Sequence, residues 1–186
     1  MHLFSEPHNR YAMIYHRRAA FILVFLILCV SACEKKISNV KGEVELYLLE
    51  AYETVDKSPE IELQSIVLEQ VPLISYSGIK SYHAGEHYFK VTDDAREAVE
   101  EHAWTVGGTA FAITADEEVV YTGYFVPAYS SMSVQWVVID PILWRLNNNM
   151  YVELGYPGQL EGVVIPDHRN DSRILDIFRR DGKLKE

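Results

Sequence analysis

Residues 92–125, TDDAREAVEEHAWTVGGTAFAITADEEVVYTGYF, decide the fold of this chain. Thr92 offers an N-cap, and the two aspartates after it favour a helix start because the N-terminal end of a helix dipole is positive. The residues that recur at helical spacing are Ala95, Ala98, Val99 and His102. These features predict the main helix over residues 93–104, with His102 half-buried on its apolar side.

A strand pair follows this helix. Residues 109–114 are apolar on both faces, which is typical of a central strand covered by a helix. Asp116 then begins an acidic turn that leads into residues 119–125, a second strand rich in β-branched and aromatic residues. The segment therefore predicts a helix followed by a β-hairpin.

The rest of the chain extends this pattern outward. Further strands are predicted at residues 43–50, 79–82, 88–91, 134–139 and 150–154. Asp171 or Asn170 caps a short C-terminal helix over residues 172–180. Strands outnumber helices and most connections have hairpin length, so the predicted class is α+β: a largely antiparallel sheet of hairpins covered by one main helix, with a short C-terminal helix.

A leader precedes this domain. Basic residues at 16–18 are followed by the apolar run AAFILVFLILCV over residues 19–30, which is shorter than the roughly 20 residues of a transmembrane helix. The next residues complete the sequence Val-Ser-Ala-Cys, which ends at Cys33 and resembles the bacterial lipobox. The resemblance implies that Cys33 is the first mature residue, with diacylglycerol on its sulfur. A plain transmembrane anchor is the alternative interpretation.

The leader divides the chain into three parts. Residues 1–32 are predicted to be a lipoprotein signal peptide, and Met13 is the expected true start because it leaves a compact basic region before the apolar run. Residues 33–42 are predicted to be a lipidated tether, and residues 43–186 a single α+β domain. Glu34 is not the Asp that retains lipoproteins at the inner membrane in the enterobacterial rule. We therefore expect an outer-membrane location, facing the periplasm.

The charge of the mature protein excludes one class of partner. Removing the leader takes away three positive charges and one negative charge, so the formal net charge changes from −10 to −12. Nucleic-acid binding requires clustered Lys and Arg, which an acidic domain does not offer. Cys29 leaves with the leader and Cys33 is acylated. The mature chain therefore has neither a disulfide nor a thiol nucleophile.

One group of residues has the chemistry of a metal site. His83, Glu86 and His87 lie around one predicted hairpin turn, and two imidazoles with a carboxylate suit Zn²⁺. The spacing differs from the helical HExxH motif, in which the Glu directly follows the first His. The alternative is that all three are solvated turn residues. No other cofactor is predicted, because the sequence has neither a phosphate-binding Gly-rich loop nor a nucleophile elbow.

Aromatic residues suggest a binding surface. Tyr124, Phe125 and Tyr129 cluster around a segment with Pro127 and two serines, and such a loop is expected to be exposed. Exposed aromatic side chains bind partner proteins and glycans, whereas buried ones only fill a core. We therefore predict an envelope protein or glycan as the partner, with Tyr124, Phe125 and Tyr129 as contact residues.

The order of elements over residues 73–125 resembles the head subdomain of the periplasmic region of SecD, a protein-export subunit. The family's glycine, apolar strand, Asp-containing turn and second strand are matched by Gly107-Gly108, Phe111-Ala112-Ile113, Asp116 and Val119-Val120. The chain departs from the family at Tyr121-Thr122-Gly123, where the family continues Ser-Ala-Pro. The resemblance implies a fold and not an export function, because the SecD transmembrane bundle is missing from this sequence.

The whole mature chain also resembles small lipoproteins of Bacteroidetes-type bacteria, which implies no activity.

Two functions follow from these features. The first is a lipid-anchored binding or scaffolding module of the cell envelope without catalytic activity. The alternative is a metal-dependent or carboxylate-based periplasmic hydrolase, which depends on His83, Glu86, His87 and nearby acidic residues.

Overall fold

The structure is a computed structural model, and it describes Val40–Glu186 except Lys57 and Asn147. The predicted signal peptide, the lipidation site Cys33 and most of the predicted tether lie outside the described residues. Within the described part of the chain, none of the helices has the length and apolar character needed to cross a membrane.

The described residues form ten strands and two α-helices. The strands are β1 Val44–Ala51, β2 Val67–Leu68, β3 Ile79–His83, β4 Tyr88–Val91, β5 Thr109–Ala115, β6 Glu118–Phe125, β7 Val134–Ile139, β8 Asn149–Tyr151, β9 Glu153–Tyr156 and β10 Leu184–Lys185. The helices are α1 Asp93–Glu101 and α2 Ser172–Arg180. Short 3₁₀ turns cover Leu63–Ser65, Tyr76–Gly78 and Leu143–Leu146.

The strands are divided between two sheets. The larger has the order β2-β1-β5-β6-β7-β9 and the smaller has the order β10-β3-β4-β8. Neighbouring strands are antiparallel except for the pairs β6–β7 and β10–β3. The predicted α+β class, with mostly antiparallel strands, one main helix and one C-terminal helix, is confirmed.

One hydrophobic core joins both sheets and both helices. Leu46 of β1, Phe89 of β4, Val99 of α1 and Phe178 of α2 are all fully buried in it. Helix α2 packs directly against β1 and β5, whereas α1 contributes Ala95 and Val99 to the same core. Burying a large apolar side chain stabilises a fold by about 1.5–3 kcal/mol, so this shared core holds the two sheets together.

The β5–β6 hairpin is the centre of the larger sheet. Residues 110–115 are buried on both faces, as predicted for a central strand. Ala115 pairs with Glu118, so the loop consists of two residues, Asp116 and Glu117, with φ of 54° and 67°. Positive φ at both loop positions is the signature of a type I′ turn, whose twist matches that of the flanking strands.

The helix caps agree with the sequence predictions. The Thr92 hydroxyl accepts a hydrogen bond from the Ala95 N–H at 3.2 Å, and the Asp171 carboxylate accepts one from the Arg173 N–H at 2.9 Å. Helix α1 ends at Glu101, three residues earlier than predicted, because the backbone at His102 is extended. The indole N–H of Trp104 donates to the Val99 carbonyl at 2.9 Å and satisfies one of the free helix-end acceptors.

The predicted strand over residues 150–154 is wrong as a single element. It is split into β8 and β9, which belong to different sheets, and Val152 is the residue between them. Its N–H donates to the His87 carbonyl, and its carbonyl accepts from Arg169 Nη1 at 2.8 Å. The backbone N–H and carbonyl of Val152 are therefore hydrogen-bonded to residues that belong to no strand, which allows the chain to cross between the sheets at this point.

Candidate functional site

The first predicted metal ligand, His83, is engaged in the hairpin itself. Its ring stacks on Tyr88 with the ring centroids 4.1 Å apart, and its Nε2 lies 3.2 Å from the Ser81 hydroxyl oxygen. Ser81 and His83 are two residues apart on β3, so they point to the same face of the strand. The imidazole of His83 is thus held on that face by stacking and by a hydrogen bond.

His87, the second predicted imidazole ligand, does not lie beside His83. His87 Nδ1 is 3.5 Å from the hydroxyl of Tyr82, which points to the face of β3 opposite His83. Burial lowers the pKa of His87, and Glu86 is exposed. The structure therefore does not bring His83, Glu86 and His87 together. In the part of the chain that the structure describes, no group of three or more His, Cys, Asp or Glu is placed to hold a metal ion.

A polar cluster that the sequence did not predict surrounds His87. The side chain of Arg169 is 12% exposed and donates two hydrogen bonds to Asp167, at 2.8 and 2.7 Å. The hydrogen bond from the Arg169 side chain lowers the pKa of Asp167 to about 2. The Tyr82 hydroxyl lies 2.9 Å from both the Arg169 carbonyl oxygen and the Asn170 side-chain oxygen, and donates to them.

The partners of this cluster indicate its role. Arg169 also donates to the carbonyl of Val152, and Asn170 donates to the carbonyl of Ala84 at 3.1 Å. Perturbed pKa values occur at functional sites and also in structural ion-pair networks. Here the charged and polar side chains form hydrogen bonds to one another and to backbone carbonyls. We therefore interpret the cluster as the connection that holds residues 167–170 against β3 and against the Val152 crossing.

The predicted aromatic loop divides into a buried and an exposed part. Tyr124 is 8% exposed and Phe125 is fully buried, so the expected exposure of these two residues is wrong. Both lie in β6 between two other strands, and Phe125 packs against Phe111 with a centroid distance of 5.1 Å. Tyr129, after the end of β6, is 60% exposed as expected.

The loop that carries Tyr129 is tied to the loop after α1. The Tyr129 hydroxyl donates to the Trp104 carbonyl at 3.1 Å, and the Ser130 hydroxyl donates to the Val106 carbonyl at 2.7 Å. Ser130 Oγ also accepts from the Met132 N–H at 3.2 Å. In irregular segments, side-chain hydrogen bonds of this kind take the place of the backbone hydrogen bonds that join neighbouring strands. The ring of Tyr129 is therefore exposed, and its hydroxyl is hydrogen-bonded to the loop after α1.

Two further apolar side chains are exposed on these tied loops. Val106 is 62% exposed and Met132 is 39% exposed. We refer to Val106, Tyr129 and Met132 as the contact patch. A groove of about 380 Å³ beside the patch is lined in part by Met132, Gly107 and the ring of Tyr124. Tyr124 is thus placed near the patch, although most of its surface is buried.

Sequence reasoning missed Val106 and Met132. Both lie in irregular segments, where no helical or strand periodicity indicates which side chains are exposed. Met132 follows Tyr129 by three residues in the same loop, whereas Val106 is brought near Tyr129 by the hydrogen bonds between the loops after α1 and after β6.

Comparison of the chain with protein-family models, with curated proteins and with solved structures gives no match. The resemblances to the SecD head subdomain and to Bacteroidetes-type small lipoproteins therefore stay predictions from the sequence.

Proposed function

We propose that this chain is a lipid-anchored binding module of the bacterial cell envelope that recognises a partner protein through the contact patch. The observation that carries the proposal is the ring of Tyr129, which is 60% exposed and whose hydroxyl is hydrogen-bonded to the Trp104 carbonyl. Aromatic side chains that are rigid before binding lose little conformational entropy on contact and dominate the energy of many interfaces. Exposed apolar groups clustered in this way mark interaction sites.

The anchor and the patch support each other in this proposal. Cys33, lipidated as the lipobox resemblance implies, confines the domain to the outer membrane facing the periplasm. Confinement raises the effective concentration of the domain towards other envelope proteins, so a small patch is sufficient for specific contact. The patch consists of a Tyr, a Met and a Val, which are side chains that bury apolar surface against a protein.

The alternative hydrolase function loses its main support. It depended on His83, Glu86, His87 and nearby acidic residues, and His87 contacts Tyr82, which points to the face of β3 opposite His83. The neighbouring Asp167 and Arg169 are occupied with each other and with the backbone. We therefore propose a binding function and not a metal-dependent one.

The proposal predicts that Tyr129→Ser abolishes partner recovery without unfolding the protein. The ring of Tyr129 is mostly exposed and its hydroxyl has one hydrogen-bond partner, the Trp104 carbonyl, so its loss costs the fold little. We expect at least about a tenfold loss of cross-linked partner, which corresponds to about 1.4 kcal/mol. The measurement is quantitative mass spectrometry of partners recovered from cross-linked native envelopes, together with a thermal melt.

Tyr151→Ser is the matched control, because Tyr151 is a tyrosine that is 42% exposed and lies outside the contact patch. It is expected to recover the same partners as the unchanged protein. Val106→Ser provides a second test within the patch and is expected to reduce recovery as Tyr129→Ser does. If the Tyr129→Ser protein folds and recovers as much cross-linked partner as the unchanged protein, the patch is not the contact surface.

A further inference from the structure

The groove beside the contact patch is also lined by Ser58 and Pro59, which come from a distant part of the chain. These two residues lie in the loop after β1, in which Thr54 and Ile61 pair through an antiparallel β-bridge. Ile61 is 3% exposed and belongs to the apolar cluster that contains Tyr124. The loop after β1 is therefore attached to the larger sheet on the side of β6 where the groove lies.

This loop carries the charge around the groove. Residues 53–62, which we call the acidic loop, contain one basic residue, Lys57, and four acidic residues. The acidic residues are Glu53, Asp56, Glu60 and Glu62, and all four are exposed. The other residues that line the groove, at positions 107, 124 and 132–135, carry no formal charge. The side of the groove formed by the acidic loop is therefore negatively charged.

The four carboxylates of the acidic loop form no ion pair within the part of the chain that the structure describes. The ion pairs seen there are made by Arg96 of α1, by Arg169 and by the arginines of α2. A cleft lined by charges of one sign concentrates ions of the opposite sign and repels ions of its own sign. The groove is thus suited to a positively charged group and unsuited to an anion.

The lining of the groove adds an apolar requirement. Pro59, the ring of Tyr124 and the side chain of Met132 all line it. The guanidinium group of arginine is weakly hydrated, packs against aromatic rings and pairs with carboxylates through two parallel hydrogen bonds. The ammonium group of lysine is compact and strongly hydrated, so its transfer into an apolar groove is less favourable. Arginine is therefore the side chain that suits both the lining and the acidic loop.

The volume of the groove limits the size of its occupant. Two turns of α-helix are about 11 Å long and 10–12 Å wide, so they fill roughly 1,000 Å³. The groove holds about 380 Å³, which is less than half of that volume. An extended segment that inserts one or two side chains is therefore a better fit than a helix.

We propose that the groove receives an extended, arginine-bearing segment of the partner protein, with the guanidinium group beside the acidic loop and neighbouring apolar side chains on the contact patch. This inference rests on the proposed function, because the segment belongs to the partner that the contact patch recognises. The patch supplies apolar contact, and the acidic loop selects the charge of the partner, since complementary charges across an interface favour the correct partner and exclude wrong ones.

The first test titrates the lipidated full-length protein, purified in a neutral detergent, with three acetylated and amidated hexapeptides. In these peptides two arginines, two lysines or two glutamines alternate with two leucines between terminal glycines. Binding is measured by isothermal titration calorimetry at low salt. We expect the arginine peptide to bind with a Kd below about 1 mM, the lysine peptide about fivefold more weakly and the glutamine peptide about tenfold more weakly.

The second test removes charge from the acidic loop by combining Asp56→Asn with Glu60→Gln. An exposed ion pair contributes up to about fivefold in affinity, so we expect the double variant to bind the arginine peptide about fivefold or more weakly. Asn tolerates the positive φ of 43° at position 56 as Asp does. The matched control combines Glu117→Gln with Glu118→Gln, which changes the net charge equally at the end of the β5–β6 hairpin far from Tyr124. Its affinity is expected to equal that of the unchanged protein.

Recovery of partners from cross-linked native envelopes separates the two proposals. If Tyr129→Ser loses the partner and the Asp56→Asn, Glu60→Gln variant retains it, the proposed function stands and the arginine-bearing segment is wrong. If Tyr129→Ser retains the partner, the proposed function itself fails. The inference is also overturned if the arginine peptide does not bind below about 1 mM, if the lysine or glutamine peptide binds as tightly, or if the two double variants bind the arginine peptide equally.

Discussion

Val99→Asp is expected to destabilise the domain by about 4 kcal/mol. Val99 is fully buried on α1 and packs in the core shared by both sheets. An aspartate there either buries an unpaired carboxylate or takes up a proton, and in both cases the core loses apolar contact. The measurement is denaturant unfolding followed by circular dichroism, at a pH near 7 where an ordinary carboxyl group is ionised.

Ala103→Asp is the control for this change, because Ala103 lies two residues beyond α1 and is exposed. Its effect is expected to stay within about 0.5 kcal/mol. Equal effects of the two substitutions would contradict the placement of α1 against the core.

Gly123→Ala is expected to destabilise the domain by about 3 kcal/mol. Gly123 is paired with Phe111 in the β5–β6 ladder. A Cβ atom at Gly123 would lie 2.4 Å from Cζ of Phe111 and 2.6 Å from the carbonyl oxygen of Val137. Phe111 is fully buried and the Val137 oxygen belongs to the backbone of β7, so neither gives way easily.

Gly85→Ala is the control for Gly123→Ala, since a Cβ atom at Gly85 meets nothing within 4 Å. Gly85→Ala is expected to leave the unfolding midpoint nearly unchanged. A Gly123→Ala protein as stable as Gly85→Ala would mean that the ring of Phe111 does not lie over β6 as described.

Features with a local cause were predictable from the sequence. The N-caps at Thr92 and Asp171 and the acidic turn at Asp116 depend on hydrogen bonds and dihedral angles within a few residues. The double burial of β5 was visible as an unbroken apolar run. These features were enough to predict the α+β class.

Features that depend on distant residues were not predictable. The split at Val152 is supported by Arg169, and no signal in the sequence of either residue indicates the other. Tyr124 and Phe125 have the composition of an exposed aromatic site, but Phe125 is buried in the core shared by both sheets and Tyr124 is buried on the other face of β6, in an apolar cluster with Val134 and Val138. The groups that cover the two faces of β6 come from distant parts of the chain, and an aromatic pair does not indicate them.

The candidate sites also depend on residues that are distant in the sequence or on strand geometry. His83 and His87 are four residues apart, but strand alternation places His83 on the opposite face of β3 from Tyr82, the residue that His87 contacts. The contact patch arises from two loops joined by Tyr129 and Ser130, which are separated from the loop after α1 by more than twenty residues. Only Tyr129 among the patch residues had a signal in the sequence, as an aromatic residue in a loop.

The central claim is that a lipid-anchored domain contacts a partner through the contact patch. Site-specific photo-cross-linking in living cells tests this claim most directly. A photoreactive residue is placed at Tyr129 in the full chain, and a control residue at Glu118, which is exposed at the opposite end of the β5–β6 hairpin. Cells are labelled with radioactive palmitate. With the photoreactive residue at position 129, we expect a discrete protein adduct that carries the palmitate label, and with the residue at position 118 we expect no adduct. In Cys33→Ala, both the label and the adduct are expected to be lost. The same adduct from both positions, or a labelled Cys33→Ala protein, would contradict the proposal of a lipid-anchored domain that binds through the patch.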